Sequence, residues 1–395
     1  MDDVVIVGGG PVGLLNALGL ARAGIRVTVI EREAAVPASP RAMVYTYAVL
    51  DGLERLGILG EIEELGFRTQ HGIWFRSFDT DEQIKWHMDV LDGLVAHPYN
   101  VNLGQHRLAG IALEHLQRLP GTDVRFGTTM TALRQDEDGV TLTVEGPGGA
   151  EETLRAAWVI GADGARSAVR TALGLAFEGM TWPERFVATN VLYDFGALGY
   201  GPGNFLIHPE HGAVIARIDN EGLWRCTYCE DLALPEETIP ERMPAYFRTI
   251  LPAVSDLPEV VQWSPYRMHQ RAAERLREGR VLLAGDAAHA TNPTGGLGLT
   301  SGMLDTFVLY DALAAVIGGA ASDEVLDRYS DERLRVFTEL ASPQASEWKR
   351  LVFHSHDPER LEQDLGMLRH VAGDPDARRE GFLSMQALIT PSLVG

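Results

Sequence analysis

The chain has 395 residues, 45% hydrophobic and 23% charged, a globular composition too long for one ordinary core and suited to two intertwined domains. Its formal charge of −21 repels polyanions, so nucleic acid and anionic membrane surfaces are not expected partners. VVIVGGG (4–10) is an apolar run ending in glycines, LLNALGLARAG (14–24) has helical spacing, and RVTVIERE (26–33) reads as a second strand. This is the start of a parallel α/β sheet. A single helical stretch is expected over 47–66, then strands at 72–78 and 83–88 joined through 79–81. Residues 106–119 form an amphipathic helix, and 123–146 is strand-rich with a DEDG turn. From 186 to 230 short strands alternate with glycine-bearing turns, which predicts a separate sheet. A helix follows at 240–251, RVLLAGDAAH (280–289) returns to the buried parallel-strand pattern, and the remainder from Leu299 is mainly helical.

The expected fold is therefore α/β, with a nucleotide-binding domain (1–70, 100–178 and 270–340) interrupted by a β-sheet domain (71–99 and 179–269). A helical C-terminal segment (341–395) closes the chain. No clean apolar stretch near 18 residues is evident, so no membrane-spanning helix is expected. No basic segment precedes the first apolar strand, which predicts a cytoplasmic protein without a secretory leader. The two cysteines, Cys226 and Cys229, are too few for a disulfide framework. They lie in the strand-like LWRCTYCE (223–230), where positions three apart face opposite sides, so a joint redox or metal role is not expected. The twelve histidines contain no H-E-x-x-H pattern, and no metal site is expected.

The first chemical motif is Gly8-x-Gly10-x-x-Gly13 between a strand and a helix. Gly8 permits the tight turn, Gly10 lets backbone approach a pyrophosphate, and Gly13 allows close helix–strand packing. Glu31 closes the second strand eighteen residues after Gly13, where a carboxylate accepts bonds from ribose hydroxyls. Taken alone, this unit suits NAD or FAD.

Two later motifs discriminate. WVIGADGARSAVR (158–170) is a strand ending in Asp163-Gly164, and GRVLLAGDAAHATNPTGGLGL (279–299) is a strand ending in Gly285-Asp286 before a proline- and glycine-rich loop. In this order and spacing the three motifs resemble those of flavoprotein aromatic hydroxylases, the para-hydroxybenzoate hydroxylase family, along essentially the whole chain. The resemblance implies a glutathione-reductase-type FAD-binding domain with an inserted substrate sheet. It implies that Asp286, after Gly285, bonds the ribityl chain. Arg41 and Arg32 lie near the dinucleotide, Gln105 and Arg107 start a helix that contacts the ribityl-phosphate region, and Asp163 and Arg166 serve both FAD and the pyridine nucleotide. Pro293 and the run through Gly295, Gly296, Leu297, Gly298 and Leu299 would line the isoalloxazine, with the following helix aiming its positive end at the reduced ring. Many relatives carry Asn where this chain has Thr300 and Val308; Thr300 can still cap a helix.

The same resemblance implies single-component hydroxylation of a phenol. NAD(P)H, with NADPH the expected donor, reduces the flavin; O2 forms a flavin hydroperoxide, which transfers OH to the ring. Para-nitrophenol, with nitrite release, heads the expected substrates, and another phenol or hydroxybenzoate is the alternative. Tyr193, Arg217, Arg225 and Tyr228 lie on strands that floor the pocket in this family, although alternation sets Tyr228 opposite Arg225. His97 is the candidate for deprotonating a phenol, with a packing role as its plainer reading, and His289 is expected to orient the loop. An FAD-dependent halogenase is disfavoured by the absent W-x-W-x-I-P signature, and a flavin-free binding protein by intact Glu31, Asp163 and Asp286. The expected partners are a small aromatic substrate, O2 and NAD(P)H, in a monomer or homodimer.

Overall fold

The glycine-ended first strand opens a parallel sheet in the computed structural model, which describes residues 2–37, 42–77, 80–251 and 256–394. Asp2–Val7 pairs in parallel with Val27–Glu31 on one side and with Glu151–Gly161 on the other. Thr122–Phe126 extends the sheet beyond Val27–Glu31, and Val281–Leu283 extends it beyond Glu151–Gly161. Strands drawn from three distant stretches thus share one sheet, with Val4, Val5, Ile6 and Val159 fully buried. Their uninterrupted apolar runs follow from having both faces covered.

A second, eight-stranded sheet carries the inserted region. Its order runs from His289–Ala290 through Glu259–Ala273, Phe177–Leu192, Leu223–Asp231, Ala213–Arg217, Gly203–Ile207 and Ile73–Ser77 to Gln83–Trp86. Strand Glu259–Ala273 of this sheet runs across position 269, and the chain returns to the sheet once more at His289–Ala290. One face buries Trp224, Cys226 and Tyr228 against Met243 and Phe247 of the helix Ile239–Ile250. The opposite face carries Phe75, Phe186 and Phe205 and meets helix Ser342–Phe353 through Leu351, Val352 and Phe353. Cys226 packs in the first cluster and Cys229 against the second. The strand alternation thus separates the two thiols.

Three expectations change. The stretch 47–66 forms two helices, Tyr47–Arg55 and Leu59–Leu65, because the chain turns through Gly57 at φ +60°. Thr300 does not cap: its hydroxyl donates back to the Gly296 carbonyl at 3.0 Å inside a helix that already starts at Leu297. That helix, Leu297–Ile317, is long and apolar enough to cross a membrane, with mean hydropathy 1.3, so the sequence does contain such a stretch. Two-thirds of it is buried. It is the central core helix, meeting the helix Pro11–Arg22 where Asn16 Nδ2 donates to Thr306 Oγ1 at 3.0 Å.

Candidate active site

The glycine turn has the shape of a phosphate cradle. At Gly8, φ is +115° and an added Cβ would stand 2.3 Å from the Ala162 carbonyl oxygen, so the turn lies hard against the DG segment. At Gly13 a Cβ would meet the Gly8 oxygen at 1.9 Å, which locks helix Pro11–Arg22 onto the turn. At Gly10, by contrast, nothing lies within 4 Å of the missing side chain. Gly10 is also the N-cap and supplies no side-chain acceptor. The helix thus begins beside open space, and an uncapped helix N-terminus suits an anion. Glu31 Oε2 accepts from Gly9 N at 2.6 Å and Oε1 from Glu33 N at 2.9 Å. The carboxylate staples the turn while lone pairs remain for ribose hydroxyls.

A second uncapped helix end lies across the strand tips. Helix Leu297–Ile317 starts from Gly296 at φ +69°, again without a side-chain cap. It follows the loop of Pro293, Thr294 and Gly295. Asp286 is exposed at the end of strand Val281–Leu283. A buried ionic network holds its base. Asp305 Oδ2 accepts from Gly285 N at 3.0 Å, Oδ1 accepts from Arg333 Nε at 2.8 Å, and His289 Nε2 lies 2.8 Å from Oδ2. That histidine contact is close in distance but off the hydrogen-bond line. Burial by itself would raise the Asp305 pKa; the charges of His289 and Arg333 outweigh it and hold it at about 2. His289 is buried and stacks on Phe337, so it orients the motif from beneath.

The two uncapped helix ends, the open space at Gly10 and the exposed Asp286 could accommodate FAD: Gly8, Gly10, Gly13 and Glu31 are placed so that they could hold the dinucleotide, and Asp286 and the 293–299 loop so that they could hold the ribityl-flavin part. Gln105 and Arg107 stand at the start of helix Gln105–Gln117, whose main chain returns to Ala42 through Gln105 N at 3.0 Å. Arg32 is exposed beside Glu33. Arg41 lies outside the described residues.

The Asp163 carboxylate accepts from Ser167 Oγ at 2.5 Å, Ala168 N at 2.6 Å and Val169 N at 3.2 Å, so it holds the start of the short helix Ala168–Ala172, whose N-cap is Ser167. The main chain of the DG segment lies against the glycine turn at Gly8. Arg166 is exposed, and with Arg271 and Arg267 it adds to burial in holding the His269 imidazole below its usual range.

The expected substrate residues divide. Arg225 is buried on the sheet face that carries Cys229, and its Nε donates to Asn190 Oδ1 at 2.8 Å. Burial pulls its guanidinium down to about 10, still cationic near neutrality. Its field, together with burial and Arg107, also lowers the His106 pKa, which places Arg225 near the start of helix Gln105–Gln117. Tyr228 and Tyr193 belong to the other face. Tyr228 stacks on Tyr246 with ring centroids 3.8 Å apart, and Tyr193 packs on Phe195. Arg217 folds onto its own turn, donating to Asp219 O at 2.7 Å and Asn220 Oδ1 at 3.1 Å. His97 sits in a surface network with Tyr99, Glu54 and Asp51. These four are therefore not gathered with Arg225.

Asn190, His106, Gln270, Asp305 and Arg333 escaped the sequence reading. Only Asp305 carried a signal, an acid within an apolar helical run. Among the described residues no group of three or more His, Cys, Asp or Glu side chains could hold a metal ion.

Comparison with known proteins agrees with this geometry. The family model described as FAD binding domain matches residues 1–343. The chain is 45% identical to 6-hydroxy-3-succinoylpyridine 3-monooxygenase of Pseudomonas putida (strain DSM 28022 / S16), covering 96% of each chain. It is 41% identical to para-nitrophenol 4-monooxygenase of Pseudomonas sp. (strain WBC-3), over 98% of this chain and 96% of that one. The crystal structure of p-nitrophenol 4-monooxygenase from Pseudomonas putida DLL-E4 superposes with a TM-score of 0.94 at 42% identity, covering 98% of both chains.

Proposed function

The chain belongs to the FAD-binding-domain family and is an FAD-dependent aromatic monooxygenase; from that premise we propose that it hydroxylates a hydroxyarene using NADPH and O2, with para-nitrophenol as the foremost substrate. Bound FAD supplies the chemistry, taking reducing equivalents from the nicotinamide and activating O2 for transfer of one oxygen atom to the ring.

Arg225 is the observation that carries the substrate reading. A buried cation on the sheet face opposite Tyr228, bonded to Asn190 and within the field of Tyr266, suits an ionised ring oxygen. A phenolate there offsets part of the cost of burying the guanidinium, and an ionised ring is more electron-rich toward oxygen transfer. Arg166 and Arg271 support NADPH as donor, since both cations lie close enough to His269 to hold its imidazole below the usual range, Arg166 follows the DG segment, and Arg271 Nε is buried without a hydrogen-bond partner among the described residues. A second reading is an acylated hydroxypyridine, favoured by the 45% identity to the succinoylpyridine enzyme. Its carboxylate would compete for Arg225.

A mass-spectrometric screen of phenols and hydroxypyridines with parallel nitrite assay decides between them. Nitrite release with matched NADPH loss supports para-nitrophenol; turnover of the hydroxypyridine acid alone transfers the reading to that class. Arg225→Met should raise KM at least about tenfold, the loss of one charge-assisted bond at ~1.5–3 kcal/mol, while FAD content holds. An unchanged KM removes Arg225 from the pocket.

A further inference from the structure

The loop after the GD motif, with the histidine that precedes it, is held at three points. A π-helical turn, Phe337–Ala341, separates helix Glu324–Val336 from helix Ser342–Phe353. Single π turns interrupt helix regularity and recur where side-chain placement matters. On one side of this turn Phe337 stacks on His289, with ring centroids 4.2 Å apart and planes 16° from parallel. On the other side Trp348 stands so close to the loop that a Cβ at Gly295 would lie 2.9 Å from its Cδ1. The same indole packs on Phe75 and Phe205 of the sheet at 5.6 and 5.5 Å.

Gln270 lies between these two contacts and joins all three parts. From strand Glu259–Ala273 its Nε2 faces Thr291 Oγ1 at 2.8 Å, Ser342 Oγ at 2.7 Å and the Ser342 carbonyl at 2.9 Å. Its Oε1 accepts from Thr291 Oγ1 at 3.1 Å and from Asn292 N and Nδ2, each at 3.2 Å. One amide thus ties the substrate sheet, the start of the flavin loop and the C-terminal helix. We propose that Gln270 is a positioning residue for the flavin, setting the 291–296 loop against the sheet and against Ser342, with Trp348 at Gly295 as the second fixed point. Oxygen transfer needs the flavin and the ring at one spacing, and a supporting shell loosened by about 1 Å forfeits that alignment. The proposal rests on FAD binding alone and is independent of which ring or which nucleotide the enzyme uses.

The test compares Gln270→Leu and Ser342→Ala with the parent by FAD titration, visible absorption of the bound flavin and its midpoint potential. Gln270→Leu should weaken FAD about tenfold, the equivalent of one or two lost hydrogen bonds, and shift both the flavin bands and the potential. Ser342→Ala, which keeps the Asn292 contacts, should move them the same way by less. A Gln270→Leu protein that melts earlier yet binds FAD with parental affinity, spectrum and potential would reduce the residue to a structural tie and overturn the proposal. If that variant does not fold, Ser342→Ala decides: parental values for affinity, spectrum and potential overturn it equally.

Discussion

Two glycines of the first motif should separate binding from folding. Gly10 has φ −76° and ψ 178°, which alanine adopts without strain, and its added Cβ meets nothing within 4 Å. Gly10→Ala should therefore leave the apoprotein within about 1 kcal/mol of the parent. The methyl would fill the space through which a pyrophosphate approaches the helix amides. FAD affinity should fall about a hundredfold, ~2.7 kcal/mol. Gly13→Ala differs in kind. Its Cβ would lie 1.9 Å from the Gly8 carbonyl oxygen, whereas ordinary contact begins near 3.4 Å, so helix and turn must part by roughly the difference. Overpacking of that sort costs about 1–3 kcal/mol and appears in the apoprotein itself. Urea unfolding of the flavin-free proteins gives the stability arm, and quenching of flavin fluorescence on titration gives the binding arm. Gly10→Ala binding FAD as tightly as the parent would show that the open space is not the pyrophosphate site. A Gly13→Ala apoprotein as stable as the parent would refute the packing argument.

The buried network beneath the GD motif predicts acid sensitivity. Asp305 has its pKa held at about 2 against an ordinary 3.8. A depressed folded value stabilises the protein above the unfolded pKa, and that share, about 2 kcal/mol, is lost as pH falls from about 4 through 2. Asp305→Asn should abolish this part of the acid limb and, by leaving Arg333 buried without its carboxylate, destabilise by about 3–5 kcal/mol in urea titrations across pH 3–7; an unchanged acid limb would remove Asp305 from the account. The cysteines should act as packing groups. Burial pushes the Cys226 thiol up to about 12 and raises that of Cys229 well above its usual value, so both should react with thiol reagents only as the protein unfolds, and fast labelling of the native protein would contradict that.

The legible parts of the site were those whose function is written in the backbone. A glycine turn between strand and helix, and strands ending in Asp-Gly and Gly-Asp, depend on φ, on absent side chains and on neighbours in sequence. The residues whose role depends on which way a side chain turns were harder to read. Tyr228 and Arg225 are three apart on one strand, and only the packing of helix Ile239–Ile250 decides which of the two faces carries the core. Asp163 sat within its motif, yet its carboxylate was claimed by the amides of the helix five residues on. Gln270 carried no signal at all, because its partners lie 21 and 72 residues away.

From the sequence alone came the α/β class and the separation of the two cysteines, which follow from period-2 and period-3.6 patterning, local properties of a chain; the family came from the resemblance of three motifs in their order and spacing. The tertiary structure decided that Leu297–Ile317 is a core helix despite its apolar composition, that Arg225 lies on the sheet face opposite Tyr228 and Tyr193, and that Phe337 and Trp348 reach back to His289 and Gly295. These are matters of which surfaces cover one another, and burial is a property of the packed molecule that no stretch of sequence carries by itself.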